Sequence, residues 1–182
     1  MAIDIKKILS DTVIELSLKK PLAKITINDL IVSSGVSRQT FYNHFSDKFD
    51  LINWTYSSRV MSPWDKINKD FPYYSYVINA NKESMKLQKF FMQACNLVGQ
   101  NSLTEYMLEY SINWFTNYIV HNYGKSVLTE ELRFAIEFNA FASINMHFKW
   151  ILAECPVSPE DKARYTIACI PNIIKKYLPI NE

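Results

Sequence analysis

Glycine and proline are scarce in this 182-residue chain, which has three glycines and seven prolines. Hairpins and tight turns depend on these residues, so their scarcity argues against many short strands and favours long helices. No run of about 18 apolar residues occurs, so the sequence predicts no membrane-spanning helix. The opening segment MAIDIKKILSD carries four charged side chains where a signal peptide would have an uninterrupted apolar stretch.

Cysteine is too sparse to cross-link the fold. The three cysteines are odd in number and widely spaced, which fits neither a disulfide framework nor a zinc site. No histidine lies within four residues of another histidine or of a cysteine. We therefore expect reduced thiols, a cytoplasmic location and neither metal nor cofactor.

The sequence also lacks the usual catalytic motifs. It has no G-x-S-x-G segment and no glycine loop of the kind that cradles phosphate. In the segment Asn145-Met146-His147-Phe148, the histidine is better explained as a buried or interfacial structural residue than as a ligand. We therefore predict that the chain is not an enzyme, and a helical enzyme is the least favoured class.

The net charge of +2 is small, but the excess lies in one place. Residues 1–48 contain seven Lys or Arg against five Asp or Glu, whereas the remainder contains thirteen of each. Any attraction for a polyanion would therefore lie in the first quarter of the chain. A segment of this length can also carry a net charge of +2 by chance. The imbalance therefore shows only which part of the chain is the better candidate for binding a polyanion.

The first quarter is predicted to be helical. Apolar residues recur at helical spacing over residues 3–19, and Pro21 follows the end of that helix. Thr26 followed by Asp29 indicates the start of a second helix, because the hydroxyl can accept from the third amide and the carboxylate favours the positive helix end. Gly35 suits its end, since glycine readily adopts the left-handed conformation.

The segment Ser34-Gly35-Val36-Ser37 joins two short helices, which is the helix-turn-helix pattern. Ser37 is predicted to cap the third helix, residues 38–45, and Ser46 to cap the fourth. In the third helix Phe41 and Phe45 share an inward face. The outward side chains are Arg38, Gln39, Thr40, Asn43 and His44, with Tyr42 at the edge. Arginine reads guanine, and glutamine or asparagine reads adenine, in the major groove. A solvated surface helix between two core helices explains this pattern equally well.

The run from Ile25 to Lys48 resembles the signature of the TetR family of transcription regulators. The shared elements are a threonine before the second helix, Gly-Val-Ser at the turn, and Thr-Phe-Tyr-x-His-Phe followed by x-Asp-Lys. The resemblance covers about residues 5–55, and the remaining chain is only compatible with the family. The Gln-Thr-Phe-Tyr-Asn segment, the aromatic-rich C-terminal part and Trp150 are similar to the subgroup of dihydroxyacetone kinase regulators.

This resemblance implies an all-α fold, with a helix-turn-helix DNA-binding domain at residues 1–48 and a ligand-binding and dimerisation domain at 49–182. The third helix would enter the major groove of a palindromic operator. Base-reading roles are implied for Arg38, Gln39, Asn43 and Asn28. Phosphate or mixed contacts are implied for Thr26, Ser37, Thr40, Tyr42, His44 and Lys48, the last of which resembles the phosphate-binding lysine of the family.

Beyond the motif, the pattern predicts a helix from residue 47 to about 61 that ends near Pro63, an aromatic stretch at 71–78, and helices at 83–99, 103–123, 130–154 and 159–178. The resemblance implies a homodimer in which the last two helices form a four-helix bundle with their copies. The stripes that would pack are Phe134, Phe138, Phe141, Ala142, Asn145 and Phe148, and Ile167, Ile170, Ile173, Ile174 and Tyr177. Core within one chain is the competing interpretation.

Aromatic residues are plentiful between the fourth and eighth helices. An apolar pocket with a few hydroxyl groups is the usual form of a small-molecule site. The candidate lining residues of an effector pocket are Trp54, Phe91, Cys95, Tyr110, Trp114 and Phe138, although an ordinary aromatic core explains each of them better. The sequence thus predicts a DNA-binding regulator, a repressor released by a small-molecule effector; the alternative is control by a protein coactivator.

Overall fold

The computed structural model describes residues 4–61, 67, 72–99 and 101–180 of the chain. Every regular element in these ranges is helical, which confirms the all-α prediction. The helices are α1 (Ile5–Ser17), α2 (Ile27–Ser34), α3 (Arg38–Tyr42), α4 (Lys48–Tyr56), α5 (Tyr73–Lys86), α6 (Gln88–Ala94), α7 (Leu103–Tyr123), α8 (Glu130–Leu152), α9 (Pro159–Cys169) and α10 (Asn172–Lys175). A 3-10 turn, Leu22–Lys24, links α1 to α2, and a π-helical turn, Ser57–Met61, continues α4.

The helix boundaries in the first quarter follow the sequence signals closely. Gly35 ends α2 with φ of 70°, in the left-handed region. Two details differ from prediction. Helix α3 stops at Tyr42 rather than at residue 45, and Asp47 caps α4 instead of Ser46, because the Asp47 carboxylate accepts the Asp50 amide at 2.8 Å.

Two predicted helices are divided in the structure. The helix expected at 83–99 is part of α5 followed by α6, and the backbone leaves the helical conformation at Leu87. The helix expected at 159–178 breaks before Pro171, because the residue before a proline is pushed to extended geometry and Ile170 has ψ of 128°. The predicted helix end near Pro63 and the start of the aromatic stretch at Phe71 lie outside the described residues.

The helices pack around one continuous hydrophobic core. Helix α1 packs on α2 and α4, α7 packs on α8, and α5 packs on α9. Helix α6 contacts both α1 and α8, so it lies between the first quarter and the remainder of the chain. No helix in the described part of the chain has the length and the apolar character needed to cross a membrane.

Candidate DNA interface

The entry to α2 is a reciprocal capping box. The amide and hydroxyl of Thr26 both donate to the Asp29 carboxylate at 2.7 Å, and the Asp29 amide donates to Thr26 Oγ1 at 3.1 Å. The Lys20 ammonium also binds Asp29, and these bonds hold the pKa of that carboxyl well below its usual range. The Thr26 hydroxyl, predicted to contact phosphate, is therefore engaged as a helix cap in this structure.

Helix α3 is anchored on its inner face and capped at its start. Phe41 and Phe45 are buried in the core and lie 6.0 Å apart between ring centroids. Ser37 Oγ accepts the Thr40 amide at 3.1 Å and also bonds to the Thr40 hydroxyl at 2.8 Å. A helix of five residues is unstable alone, so these anchors decide where its outer face points.

The outer face carries the base-reading candidates. Arg38, Gln39 and Asn43 are exposed, and Asn28 is exposed on α2. The Arg38 guanidinium lies 5.9 Å from the centroid of the Tyr42 ring, a cation–π arrangement that limits its rotamers. The other predicted contacts divide into exposed Ser37 and Tyr42 and half-buried Thr40 and His44.

The Lys48 ammonium, predicted to bind phosphate, is engaged with the backbone in this structure. Its ammonium donates to the carbonyl oxygens of Leu22, Ala23 and Ile25 at 3.0, 3.1 and 2.9 Å. All three ammonium hydrogens are thereby used, and burial followed by the nearby Lys20 charge lowers the pKa of Lys48. The side chain ties the start of α4 to the turn before α2 instead of projecting freely toward a phosphate. Sequence reasoning missed this because the acceptors lie more than 20 residues earlier in the chain.

Among the described residues, the six residues proposed for an effector pocket have different surroundings. Phe91 is sealed in the core against Tyr56, with ring centroids 5.5 Å apart. Trp54 packs edge-on against Phe45, whereas Phe138 on α8 is 61% exposed. Trp114 stacks between aromatic neighbours, and Cys95 and Tyr110 pack partly buried against the core. Burial raises the pKa of the Cys95 thiol to about 12, so it is not a reactive thiolate.

A small cavity of about 90 Å³ lies elsewhere, among α5, α7, α8 and α9. Its polar lining includes Asn81, Asn139, His147 and Lys162, one or two from each of three helices. The expectation that His147 is buried is confirmed. Sequence reasoning missed the cavity because helical periodicity cannot show which polar residues on distant helices converge.

The outer side of α8 and α9 is unusually apolar. Phe134, Phe138 and Phe141 are 71%, 61% and 53% exposed, and Met146 and Tyr165 are also exposed. An apolar cleft of about 360 Å³ runs between the two helices beside Phe138. The predicted interface role is wrong for four residues of the two stripes, Phe148, Ile167, Ile170 and Ile174, because they are buried within the chain. The exposed aromatic residues on α8 form what we call the α8 face.

Comparison with known proteins places these features in a family context. A TetR family model described as "Transcriptional regulator C-terminal region" matches residues 75–172, more than half of the chain. The fold is similar to that of a solved structure titled "Dihydroxyacetone kinase operon activator DhaS", with a TM-score of 0.68 and 16% sequence identity over 95% of this chain and 97% of that one. No curated protein sequence matches the chain. The fold therefore agrees with the predicted resemblance to dihydroxyacetone kinase regulators.

Proposed function

Because this chain belongs to the TetR family of transcription regulators, we propose that it binds a palindromic operator as a homodimer, with α3 in the major groove. The observation that carries the proposal is the outer face of α3. Its exposed side chains are types that read bases, its buried side chains fix it to the core, and it has no acidic residue. Arg38, Gln39 and Asn43 would contact bases, with Asn28 at the edge of the site.

Loss of the Gln39 carboxamide is expected to relax sequence preference at one or two base pairs. A paired hydrogen bond to adenine contributes about 1–3 kcal/mol of discrimination, so Gln39→Ala should tolerate other bases there while still binding the rest of the site. The measurement is selection of bound fragments from genomic DNA followed by titration of single-base variants. Asn122→Ala, which removes an exposed carboxamide at the end of α7, is the control. Identical preferences for Gln39→Ala and wild type would refute the role of α3.

The α8 face supports the dimer. Three exposed phenylalanines lie along one side of α8 and form a continuous apolar patch. Single exposed apolar residues are common on protein surfaces, whereas patches of this kind mark interaction sites. Pairing across a twofold axis would present two α3 helices to half-sites about 34 Å apart. A stable interface of this kind should bury at least about 1,000 Å².

We expect wild-type protein to sediment as a dimer at micromolar concentration and Phe138→Glu as a monomer. A carboxylate at the centre of the interface should weaken association at least about 30-fold, as loss of a central aromatic contact does. Val98→Glu is the matched control, because Val98 is 95% exposed and lies in the loop after α6 rather than on α8. A monomeric wild type, or a Phe138→Glu variant that dimerises normally, would contradict this assignment.

One continuous helical segment, from Lys48 to Met61, joins the reading helix to the cavity and supports regulation of DNA binding by the C-terminal part of the chain. Helix α4 begins beside the reading helix and continues into the turn Ser57–Met61, and both Tyr56 and Met61 line the internal cavity. Arg59 in this turn forms an ion pair with Asp11 of α1. An effector that prefers one tilt of α4 would alter the spacing of the two reading helices, and a coupling of about 1–3 kcal/mol changes operator affinity roughly 5- to 150-fold.

We propose that the protein is a repressor released by a small-molecule effector. Control by a protein coactivator is the alternative, and the small volume of the cavity among α5, α7, α8 and α9 favours it. The similar solved structure is titled an activator, so activation is the alternative to repression. Operator release by the low-molecular-weight fraction of a cell extract would support an effector. A change in operator binding caused only by the protein fraction would support a coactivator instead.

A further inference from the structure

We propose that the cavity among α5, α7, α8 and α9 binds a small oxyanion, a ligand with a carboxylate or phosphoryl group, against the ammonium of Lys162. The regulatory consequence of this site rests on the function proposed above, whereas the binding itself does not. The argument starts from an uncompensated charge.

Lys162 is only 8% exposed, and its ammonium donates to Asn81 Oδ1 at 2.9 Å and lies 5.1 Å from the Trp150 ring. Within the described ranges it has no carboxylate partner. The acids beside it on α9 are engaged elsewhere, Glu160 with Lys82 and Asp161 with Arg164. Because an isolated charge is costly to bury, buried charges are normally paired. Among the described residues, Lys162 therefore lacks the anion that this rule requires.

The orientation of Asn81 is fixed by a second hydrogen bond, and its carboxamide has a single oxygen. Its Nδ2 donates to the Pro159 carbonyl at 3.1 Å, which turns Oδ1 toward Lys162. The neutral dipole satisfies one ammonium hydrogen and leaves the positive charge in place. That charge lowers the pKa of neighbouring His147 further, after the larger effect of burial.

Further polar groups surround the same space. His147 is 8% exposed, and its Nε2 has no hydrogen-bond partner among the described residues. The buried carboxamide of Asn139 lines the cavity, as do the hydroxyls of Ser111 and Ser143. Neutral imidazole, amide and hydroxyl groups can all donate to an oxyanion, and none of them adds a negative charge that would repel it. A lone cation with uncharged donors is a suitable anion site.

The size of the cavity sets the ligand class. About 90 Å³ is far below the 300–1,000 Å³ of a pocket for a drug-sized molecule, so the occupant has few heavy atoms. Asn139, Ser143, Lys162 and Thr166 also line the apolar cleft beside the α8 face. A bound anion would thus contact Tyr56 at the end of α4 and also the residues of α8 and α9 that line the cleft beside the α8 face.

The test uses the full chain with two probes, inorganic phosphate and acetate, at constant ionic strength, with acetamide as the uncharged control. We expect saturable quenching or enhancement of tryptophan fluorescence and a raised thermal midpoint with at least one anion and not with acetamide. Binding of phosphate alone would identify a phosphoryl ligand, and binding of acetate alone a carboxylate. No saturable binding at about 100 mM anion, which would fill even a millimolar site, would overturn the proposal.

Two variants locate the site. Lys162→Met should weaken anion binding at least about 100-fold, and Asn139→Asp should abolish it by placing a carboxylate in the cavity even if the first variant folds poorly. Lys82→Met, which removes a half-exposed lysine paired with Glu160, should bind like wild type. Normal binding by both cavity variants would refute the site. Operator affinity is measured separately: if the anion binds without altering it, the site stands and effector control fails.

Discussion

Replacement of Lys48 by methionine is expected to lower the free energy of unfolding by about 2–4 kcal/mol. The ammonium holds three carbonyl oxygens of the Leu22–Ile25 turn, and hydrogen bonds to a charged group contribute about 1.5–3 kcal/mol each when taken singly. The expected loss of stability is smaller than the contribution of three such bonds, because water can hydrogen-bond to the exposed Ala23 carbonyl after the substitution. Urea unfolding with an unchanged m-value would measure it.

Lys24→Met is the matched control, since Lys24 is exposed in the same turn and should change stability by no more than about 0.5 kcal/mol. The two interpretations of Lys48 differ in outcome. A structural tie predicts lower stability and weaker binding to every DNA sequence. A free phosphate contact predicts normal stability and a salt dependence reduced by about one phosphate. The second result would overturn the structural role.

The local features of the fold could be predicted because they depend on neighbours within a few residues. The caps at Thr26 and Thr129 each follow from one hydroxyl and the amide three residues later, and Gly35 can end α2 because it has no side chain to oppose a positive φ. The outward side of α3 also follows from a short spacing, because Phe41 and Phe45, four residues apart, are both buried. The break before Pro171 is local as well, because the proline pushes Ile170 to extended geometry.

Features decided by distant packing could not be obtained in this way. Nothing local marks Leu87 as a break, since neither glycine nor proline stands there; burial of Phe90 and Phe91 sets the new direction of α6. The acceptors of Lys48 precede it by 23 to 26 residues, and Asn81 precedes Lys162 by 81. Aromatic content suggested a pocket but not its position, because a core and a cavity wall have the same composition.

The stability of wild-type protein is expected to rise relative to Lys162→Met by about 3 kcal/mol between pH 7 and about pH 10.5. Burial lowers the pKa of Lys162 from its ordinary 10.5 to about 8. Below pH 8 both folded and unfolded chains are protonated, and the whole cost of burying the ammonium is present. Above pH 8 the folded chain releases its proton first, so the unfolded chain binds more protons and stability increases with pH.

The groups facing Lys162 determine how the measurement is made. Asn81 and Trp150 do not titrate in this range, and His147 is already neutral, because burial holds its pKa well below the ordinary value. The Cys155 thiol does interact with Lys162, and its ionisation would raise the pKa of the lysine. Both proteins should therefore carry Cys155→Ala, and urea unfolding at each pH gives the difference. An unchanged difference from pH 7 to 10.5 would show that the ammonium is not desolvated.

The same titration links stability to the proposed ligand. A bound oxyanion favours the charged lysine, so it should restore the pKa of Lys162 toward 10.5 and remove the pH dependence of the difference. Anion affinity should correspondingly fall as the pH rises above 8, because the deprotonated amine no longer attracts the ligand. Inorganic phosphate or acetate that stabilises wild type equally at pH 7 and pH 10 would be binding somewhere other than at Lys162.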